Sequence, residues 1–179
     1  MDSDAAPVIR RAHAGDIAAL ADLGAATFRE AFAHLYAPED LAGFLVNTHS
    51  PSAYSGLLAD PTVALWLATL ADGRPIGYGV AGNCKLPVES REENAGEIRQ
   101  LYVLARYQKL RLGTRLLVTA LEWLGAQQRT PVYVGVWSEN YGAQRLYGKF
   151  GFEKIGEYGF PVGRQIDREF ILKQRQERH

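Results

Sequence analysis

The 179-residue chain is poor in cysteine, has no excess of either charge and contains no long apolar run. Its one cysteine, Cys84, cannot form an intrachain disulfide, which is typical of a protein from a reducing compartment. Its 20 basic side chains equal its 20 acidic ones, whereas a dedicated nucleic-acid-binding protein usually carries a basic excess. No apolar stretch approaches the ~20 residues that span a bilayer, and the first residues lack the apolar core of a secretion signal. We therefore expect a cytoplasmic protein that binds neither nucleic acid nor a membrane.

Neither a metal site nor a dinucleotide-binding fold is predicted. The histidines do not show the spacing of metal ligands, and Cys84 stands alone. The segment Gly77–Gly82 matches the pattern GxGxxG letter for letter, but a dinucleotide site requires a strand before it and a helix opening from it. Here the glycines lie inside a strand pattern, and Pro87 prevents a helix from following. Glycines within a strand more often mark a bulge or a close backbone approach.

The length fits a single domain over 1–179, with short disordered tails expected at 1–6 and 174–179. Hydrophobic periodicity predicts the element order β-α-α-α-β-β-β-α-β-α-β-β. Strands are predicted over 8–11, 63–70, 75–81, 97–104, 132–137, 153–158 and 166–172, and helices over 16–35, from 38, from 50, 112–128 and 140–150. Late alternation of strands and helices implies parallel pairing, and the earlier hairpin implies antiparallel pairing. The predicted fold class is therefore α/β (α+β), a mixed sheet with helices on both faces.

A basic segment lies between a predicted strand and a predicted helix, over Tyr107–Thr114. A loop at this place directs several backbone N–H groups and a helix N-terminus at one spot, which suits a pyrophosphate. Four positive charges fall within ten residues, with no acid among them: Arg106, Lys109, Arg111 and Arg115. Taken alone, the segment is equally consistent with a solvated basic helix start.

A second segment follows the predicted strand 132–137: Asn140, Ala143 and Tyr147 fall on a predicted helix, and Gly151 and Phe152 come after it. Because both segments are present, the chain resembles the GCN5-related N-acetyltransferase superfamily, which transfers acetyl from acetyl-CoA to an amine. The family's loop, Gln/Arg-x-x-Gly-x-Gly/Ala, corresponds here to Gln108, Arg111 and Gly113. Its later pattern, Asn-x-x-Ala-x-x-x-Tyr-x-x-x-Gly-Phe, is matched at Asn140, Ala143, Tyr147, Gly151 and Phe152. The resemblance spans nearly the whole chain, because the order of elements also matches.

The chain departs from the family pattern at Arg111, which replaces the first loop glycine. Phosphates are bound there mainly through backbone N–H groups, so a residue with a negative φ serves as well. Its guanidinium group also adds a possible phosphate contact.

The resemblance implies a mostly antiparallel sheet with a splayed central strand pair, and acetyl-CoA as co-substrate. The N–H of Val103 is then the donor to the thioester oxygen, since such donors stabilise acyl-transfer transition states. The cofactor-binding positions that the resemblance implies are Leu101, Tyr102, Val103, Gln108, Lys109, Leu110, Arg111, Leu112, Gly113, Thr114, Asn140 and Tyr147.

Two residues are candidate catalysts. Tyr147 matches the family tyrosine that protonates the leaving thiolate, although a tyrosine on a helix is more often a core residue with its hydroxyl at the surface. Glu97 has the spacing of a family glutamate that acts as base. By strand alternation Glu97 shares a face with Arg99, Leu101 and Val103, so Arg99 could instead hold it in a surface salt bridge. Other members carry a glutamate on the following strand, where this chain has Gly135.

The acceptor is predicted from weaker features. Segments 27–32, 135–140 and 163–167 resemble the bacterial spermidine/spermine N-acetyltransferase branch, which implies a polycationic amine. Glu30 and Trp137 are the candidate acceptor residues, and Glu39, Asp40 and Asp167 are further acids that could attract a cation. A protein N-terminus or lysine is the alternative acceptor, and a non-catalytic CoA-binding sensor is the alternative function. A homodimer is one candidate assembly.

Overall fold

A computed structural model describes residues 5–177, and the expected tails fall partly on residues 1–4 and 178–179, outside this range. The predicted order of elements is confirmed. The helices are α1 (Ile17–Phe32), α2 (Pro38–Thr48), α3 (Pro51–Ala59), α4 (Leu112–Ala126) and α5 (Tyr141–Lys149). The strands are β1 (Val8–Arg11), β2 (Val63–Thr69), β3 (Pro75–Asn83), β4 (Gly96–Val103), β5 (Val132–Trp137), β6 (Phe152–Val162) and β7 (Gln165–Gln174). The basic segment is not an open loop, because Ala105–Leu110 forms a 3₁₀ helix.

The strands form one sheet in the order β1-β2-β3-β4-β5-β7-β6. Every adjacent pair is antiparallel except β4 and β5, which are parallel. The prediction of a mixed, mostly antiparallel sheet is therefore confirmed. Helices α4 and α5 cover one face, and α1, α2 and α3 cover the other.

The central strands β4 and β5 separate along their length. They pair only over Gly96–Ile98 and Val132–Val134. Beyond Ile98, β4 continues beside β3 as far as Val103, and beyond Val134, β5 continues beside β7 as far as Trp137. The expected splay is thus present, and it leaves an open gap in the middle of the sheet.

A bulge in β4 changes which side chains share a face. Val80 of β3 pairs with Gln100, but the next residue, Ala81, pairs with Ile98, so Arg99 is an extra residue without a partner across the ladder. Such an insertion interrupts the two-residue alternation of a strand. Ile98, Leu101 and Val103 consequently pack toward α4. The prediction that Glu97 shares a face with Leu101 and Val103 is wrong, because the alternation restarts at the bulge.

The three glycines of the GxGxxG segment lie within β3, as predicted. A Cβ atom on Gly77 would lie 3.1 Å from the carbonyl oxygen of Tyr102 and 3.5 Å from a methyl carbon of Leu116. The absence of a side chain at Gly77 therefore allows β3 to approach β4 and α4 closely. Within residues 5–177, no helix has the length and hydrophobicity needed to cross a membrane. In the same range, no three His, Cys, Asp or Glu side chains are grouped so that they could ligate a metal ion.

Candidate active site

The N-terminus of α4 is uncapped by any side chain of the described chain. The first N–H groups of a helix have no partner within it, so those of Leu112, Gly113 and Thr114 are available to an anion. The residue before the helix, Arg111, has a φ of +56°. The expectation of a negative φ is therefore wrong: this arginine adopts the left-handed conformation that glycine adopts freely.

Two hydrogen bonds tie the segment before α4 to the rest of the fold. The Gln108 side chain donates from Nε2 to the carbonyl oxygen of Val103, 3.1 Å away. The N–H of Ala105 donates to Oε2 of Glu30, 2.8 Å away. The carboxylate of Glu30 is therefore engaged in holding this segment, beside the α4 N-terminus.

Two cavities meet at the gap between β4 and β5. The loop cavity, of about 600 Å³, includes Glu30, Val103, Gln108 and Gly113 in its wall. The aromatic cavity, of about 360 Å³, lies toward α1 and α2. The residues that line both cavities, and so mark their junction, are Phe32, Leu101, Tyr102, Trp137, Asn140, Ala143 and Tyr147.

The predicted cofactor-binding residues are distributed around the loop cavity. Gln108 and Gly113 line it, whereas Leu112 has its side chain fully buried in the core, so only its N–H can serve a ligand. Lys109 and Leu110 belong to the 3₁₀ segment, and Thr114 lies in the first turn of α4.

At the end of β4, backbone groups that are not hydrogen-bonded to a neighbouring strand point into the gap. Leu104 donates its N–H to the carbonyl oxygen of Ile76, 2.9 Å away. Hydrogen-bonded and non-hydrogen-bonded pairs alternate along an antiparallel ladder, so the next pair, Gly77 with Val103, is not hydrogen-bonded. The Val103 N–H thus points away from β3, toward the space that β5 has left.

Tyr147 and Asn140 stand at the junction. The Tyr147 ring is buried and packs edge-to-face on Phe152, with ring centroids 5.6 Å apart. Burial raises the pKa of the Tyr147 phenol above its usual value, so it is a proton donor throughout the physiological range. Oδ1 of Asn140 accepts the N–H of Ala143 at 3.1 Å, which caps α5.

Glu97 is buried in the wall of the aromatic cavity. Its Oε2 accepts the N–H of Lys85 at 2.8 Å, and burial raises the pKa of its carboxyl group. The alternative salt bridge with Arg99 does not form. Arg99 donates instead to the backbone and side-chain oxygens of Asn83, at 2.8 and 2.5 Å.

Strand β7 brings two more carboxylates to the aromatic cavity. Asp167, one of the predicted acids, accepts hydrogen bonds from the hydroxyl of Tyr36 and from Nε2 of Gln165. Glu169 was not predicted, and its Oε2 accepts the hydroxyl of Tyr158 at 2.8 Å. Burial raises the pKa of Glu169, and the negative charge of Asp167 raises it further. The spacing Asp167-x-Glu169 places both side chains on one face of a strand, and this signal was available in the sequence.

The carboxylates of the aromatic cavity have no cationic partner. Throughout residues 5–177, no lysine, arginine or histidine forms an ion pair with Glu97, Asp167 or Glu169. Asp40, by contrast, pairs with Arg164 at 3.3 Å. Neither Asp40 nor Glu39 is part of the cavity wall. The wall also contains two basic residues, Lys85 and Arg99, and its aromatic residues include Phe28, Phe32, Tyr36, Phe44, Trp137, Tyr158 and Phe160.

Comparisons with known proteins agree with this geometry. Residues 22–152 match the acetyltransferase (GNAT) family, and the chain belongs to that family. It is 31% identical to an uncharacterized N-acetyltransferase of Mycobacterium tuberculosis, over 86% of this chain and 93% of that protein. It is 29% identical to an uncharacterized N-acetyltransferase of Lactobacillus delbrueckii subsp. lactis, over 82% and 84% of the two chains.

The fold is shared with a solved structure. The PaiA N-acetyltransferase from Thermoplasma acidophilum, in complex with coenzyme A, superposes with a TM-score of 0.76, covering 96% of this chain and 100% of that one at 18% identity. This likeness shows the fold, and the family match and the relatives show that the class of enzyme is acetyltransferase.

Proposed function

We propose that the protein moves an acetyl group from acetyl-CoA directly to a primary amine while both substrates are bound. The observation that carries this proposal is the meeting of two chemically different cavities at Tyr147. One opens at a free helix N-terminus, and the other is lined by unpaired carboxylates. A direct transfer needs such a junction, because the amine and the thioester must come within bonding reach.

The residues of the loop cavity fit the phosphates of acetyl-CoA. The N–H groups of Gly113 and Thr114 stand at the positive end of the α4 dipole, and the basic side chains of this segment add charge. Two carboxylates line this cavity, Glu30 and Glu139, and that of Glu30 accepts the Ala105 N–H. The coenzyme supplies the activated acetyl group, and this end of the site orients it toward the gap.

The junction supplies the groups that acyl transfer requires. The Val103 N–H is available to stabilise negative charge on the thioester oxygen, a contribution of roughly 3–4 kcal/mol in other acyl-transfer sites. The Tyr147 hydroxyl gives its proton to the leaving sulfur. A carboxylate of the aromatic cavity takes the proton that the ammonium must lose, and Glu97 is the candidate from the sequence.

We infer a polyamine as acceptor from the charge of the aromatic cavity. Buried carboxylates without cationic partners are costly, so a site of this kind favours a ligand that brings positive charge. Aromatic faces add cation–π attraction to an ammonium group. Asp167 on β7, which also lines this cavity, is the candidate partner for a second ammonium while the first reacts. A homodimer and a cytoplasmic location stay predictions from the sequence.

An acceptor screen tests the proposal. Release of the CoA thiol is followed with acetyl-CoA and, in parallel, spermidine, a short monoamine, an aminosugar, an amino acid and a lysine-containing peptide. We expect turnover with the polyamine and weaker turnover with the monoamine. Preference for the peptide would favour protein acetylation. Coenzyme binding without turnover of any amine would favour the sensor.

A further inference from the structure

Gly135 of β5 leaves room for the Tyr158 hydroxyl, which donates a hydrogen bond to Glu169. A Cβ atom on Gly135 would lie 2.5 Å from the hydroxyl oxygen of Tyr158 and 3.4 Å from Oε2 of Glu169. Any larger residue at 135 would therefore displace the Tyr158 hydroxyl, whereas the distance of that Cβ atom from Glu169 is an ordinary van der Waals contact. Glycine on β5 thus permits the hydrogen bond that Tyr158 donates to Glu169 in the aromatic cavity.

The place of this carboxylate is the open end of the gap. Val134 is the last residue of β5 that pairs with β4, and Gly135 is the next along the chain. Glu169 pairs across β5 and β7 with Trp137, which lines both cavities. Burial raises the pKa of Tyr102, another junction residue, and the charge of Glu169 raises it further. Glu169 thus acts electrostatically at the junction itself.

Glu97 differs from Glu169 in both position and surroundings. It pairs with Tyr133, in the part of β4 that precedes the gap. Its carboxylate accepts a backbone N–H, and the nearby charges of Arg99 and Arg91 oppose the rise of its pKa. Glu169 has a hydroxyl as its hydrogen-bond donor, and the charge beside it is the negative one of Asp167. A base that must take a proton near neutral pH needs a raised pKa, and the surroundings of Glu169 favour this more than those of Glu97 do.

We propose that Glu169 is the base of the transfer reaction, which rests on the proposed function. The ammonium gives one proton to the Glu169 carboxylate and becomes a neutral amine. The nitrogen lone pair forms the C–N bond to the acetyl carbon as the C–S bond breaks. The sulfur takes the proton of the Tyr147 hydroxyl, and the new amide nitrogen returns its surplus proton to the Tyr147 oxygen. Glu169 then releases its proton to solvent.

Several ionisable groups face Glu169 in this cavity. Tyr158 of β6, Tyr102 of β4 and Tyr36 before α2 all have pKa values raised mainly by burial, so they stay protonated near neutral pH. Burial lowers the pKa of His49, at the end of α2, to about 4. Asp167 and Glu97 are the other carboxylates of the cavity wall, and Lys85 and Arg99 are its basic residues. An acid limb of the pH–rate profile must therefore be assigned by comparing variants.

The test is a matched set of pH profiles of kcat/KM for the best amine of the screen. Glu169→Gln should lower kcat/KM by roughly 100-fold or more and remove the acid limb. Glu97→Gln and Asp167→Asn, whatever their effect on rate, should keep that limb. Tyr158→Phe retains the carboxylate but removes the hydrogen bond that stabilises its anion, so the limb should move to higher pH. Coenzyme affinity of each variant reports whether the fold is intact.

The outcomes separate the two proposals. A limb that survives in Glu169→Gln, or disappears in Glu97→Gln, overturns the assignment of the base while the acetyltransferase function stands. If Glu169→Gln does not fold, an unmoved limb in Tyr158→Phe overturns the assignment. A wild-type protein that binds the coenzyme and acetylates no amine overturns the proposed function, and this inference with it.

Discussion

The side-chain amide of Gln108 donates a hydrogen bond to the carbonyl oxygen of Val103, 3.1 Å away. One side chain thus connects the segment proposed to bind the phosphates to the strand end proposed to face the thioester. Removing it takes away a side-chain hydrogen bond between two parts of the proposed coenzyme site.

Gln108→Ala should therefore weaken coenzyme binding. A hydrogen bond of this type contributes about 1 kcal/mol net, which corresponds to about five-fold in the dissociation constant. Calorimetric titration with CoA measures the change. Gln127→Ala, at the exposed end of α4, is the matched control and should bind CoA as the wild type does. Equal affinities for the two variants would contradict a bracing role for Gln108.

The left-handed conformation of Arg111 has a measurable energetic consequence. A residue with a Cβ atom is strained at a φ of +56°, by roughly 1–2 kcal/mol, whereas glycine is not. Arg111→Gly should therefore be more stable than Arg111→Ala by about 1 kcal/mol, although both lose the guanidinium group. Urea unfolding gives the stabilities. Equal loss of CoA affinity in the two variants would assign the lost contact to the side chain, and no loss would assign the phosphate contacts to the backbone.

Tyr147→Phe tests whether the Tyr147 hydroxyl is the proton donor of the reaction. The change removes one oxygen from a buried ring and leaves the contact with Phe152 in place. We expect kcat to fall by roughly 100-fold, with CoA affinity unchanged, because general acid catalysis contributes on that scale. Tyr141→Phe, on the exposed side of α5, should retain full activity. An unchanged kcat in the Tyr147 variant would remove Tyr147 from the mechanism.

Asp167→Asn tests recognition of the second ammonium. Losing one charged partner should raise KM for a diamine or polyamine by about ten-fold, since hydrogen bonds to charged groups contribute about 1.5–3 kcal/mol. KM for a monoamine should change little, because a monoamine has no second charge to place. Asp22→Asn, on the exposed face of α1, controls for net charge. A rise of equal size for both kinds of amine would place Asp167 at the reacting nitrogen.

Asp16 makes a contribution to the free energy of unfolding that depends on pH. The hydrogen-bonded ion pair with Arg10 holds the pKa of Asp16 down at about 2, aided by the N–H of His13. A lowered carboxyl pKa stabilises the fold above the unfolded value near 4, and this contribution is lost as pH falls from about 4 to 2. Asp16→Asn should cost about 1–2 kcal/mol at pH 7 and almost nothing at pH 2, measured by urea unfolding. A difference that stays constant with pH would assign the effect to packing.

The element order could be read from the sequence because hydrophobic period is a local property. The bulge at Arg99 could not, because it exists only in the register between β3 and β4. That bulge decided which face Leu101 and Val103 present, so a correct strand still gave a wrong neighbour for Glu97. The local pattern therefore located the strands but did not show which face of the sheet each side chain occupies.

The residues of the candidate site likewise divide into those that the local sequence identifies and those that it does not. Gln108, Asn140 and Tyr147 were identified because their spacing lies within short segments. The Asp167-x-Glu169 spacing shows from the sequence that these two acids share a strand face. The importance of Glu169 was missed because it depends on β7 lying beside β5, and on the room that Gly135 leaves for the Tyr158 hydroxyl. Neither of these contacts between strands has a signature in the local sequence. The sign of φ at Arg111 likewise depends on how the 3₁₀ segment meets α4.

The gap between β4 and β5 also predicts how fast individual backbone amides exchange their hydrogens with solvent. The Val103 amide points into it without a strand partner, so in the free protein it should exchange its hydrogen with solvent quickly. The neighbouring Leu104 amide is bonded to Ile76 and should exchange slowly. A ligand that enters the gap takes the place of the absent strand and should bring the Val103 exchange rate toward that of its neighbour. If the coenzyme binds in the gap as proposed, the substrate completes the sheet, and hydrogen exchange can record that completion one amide at a time.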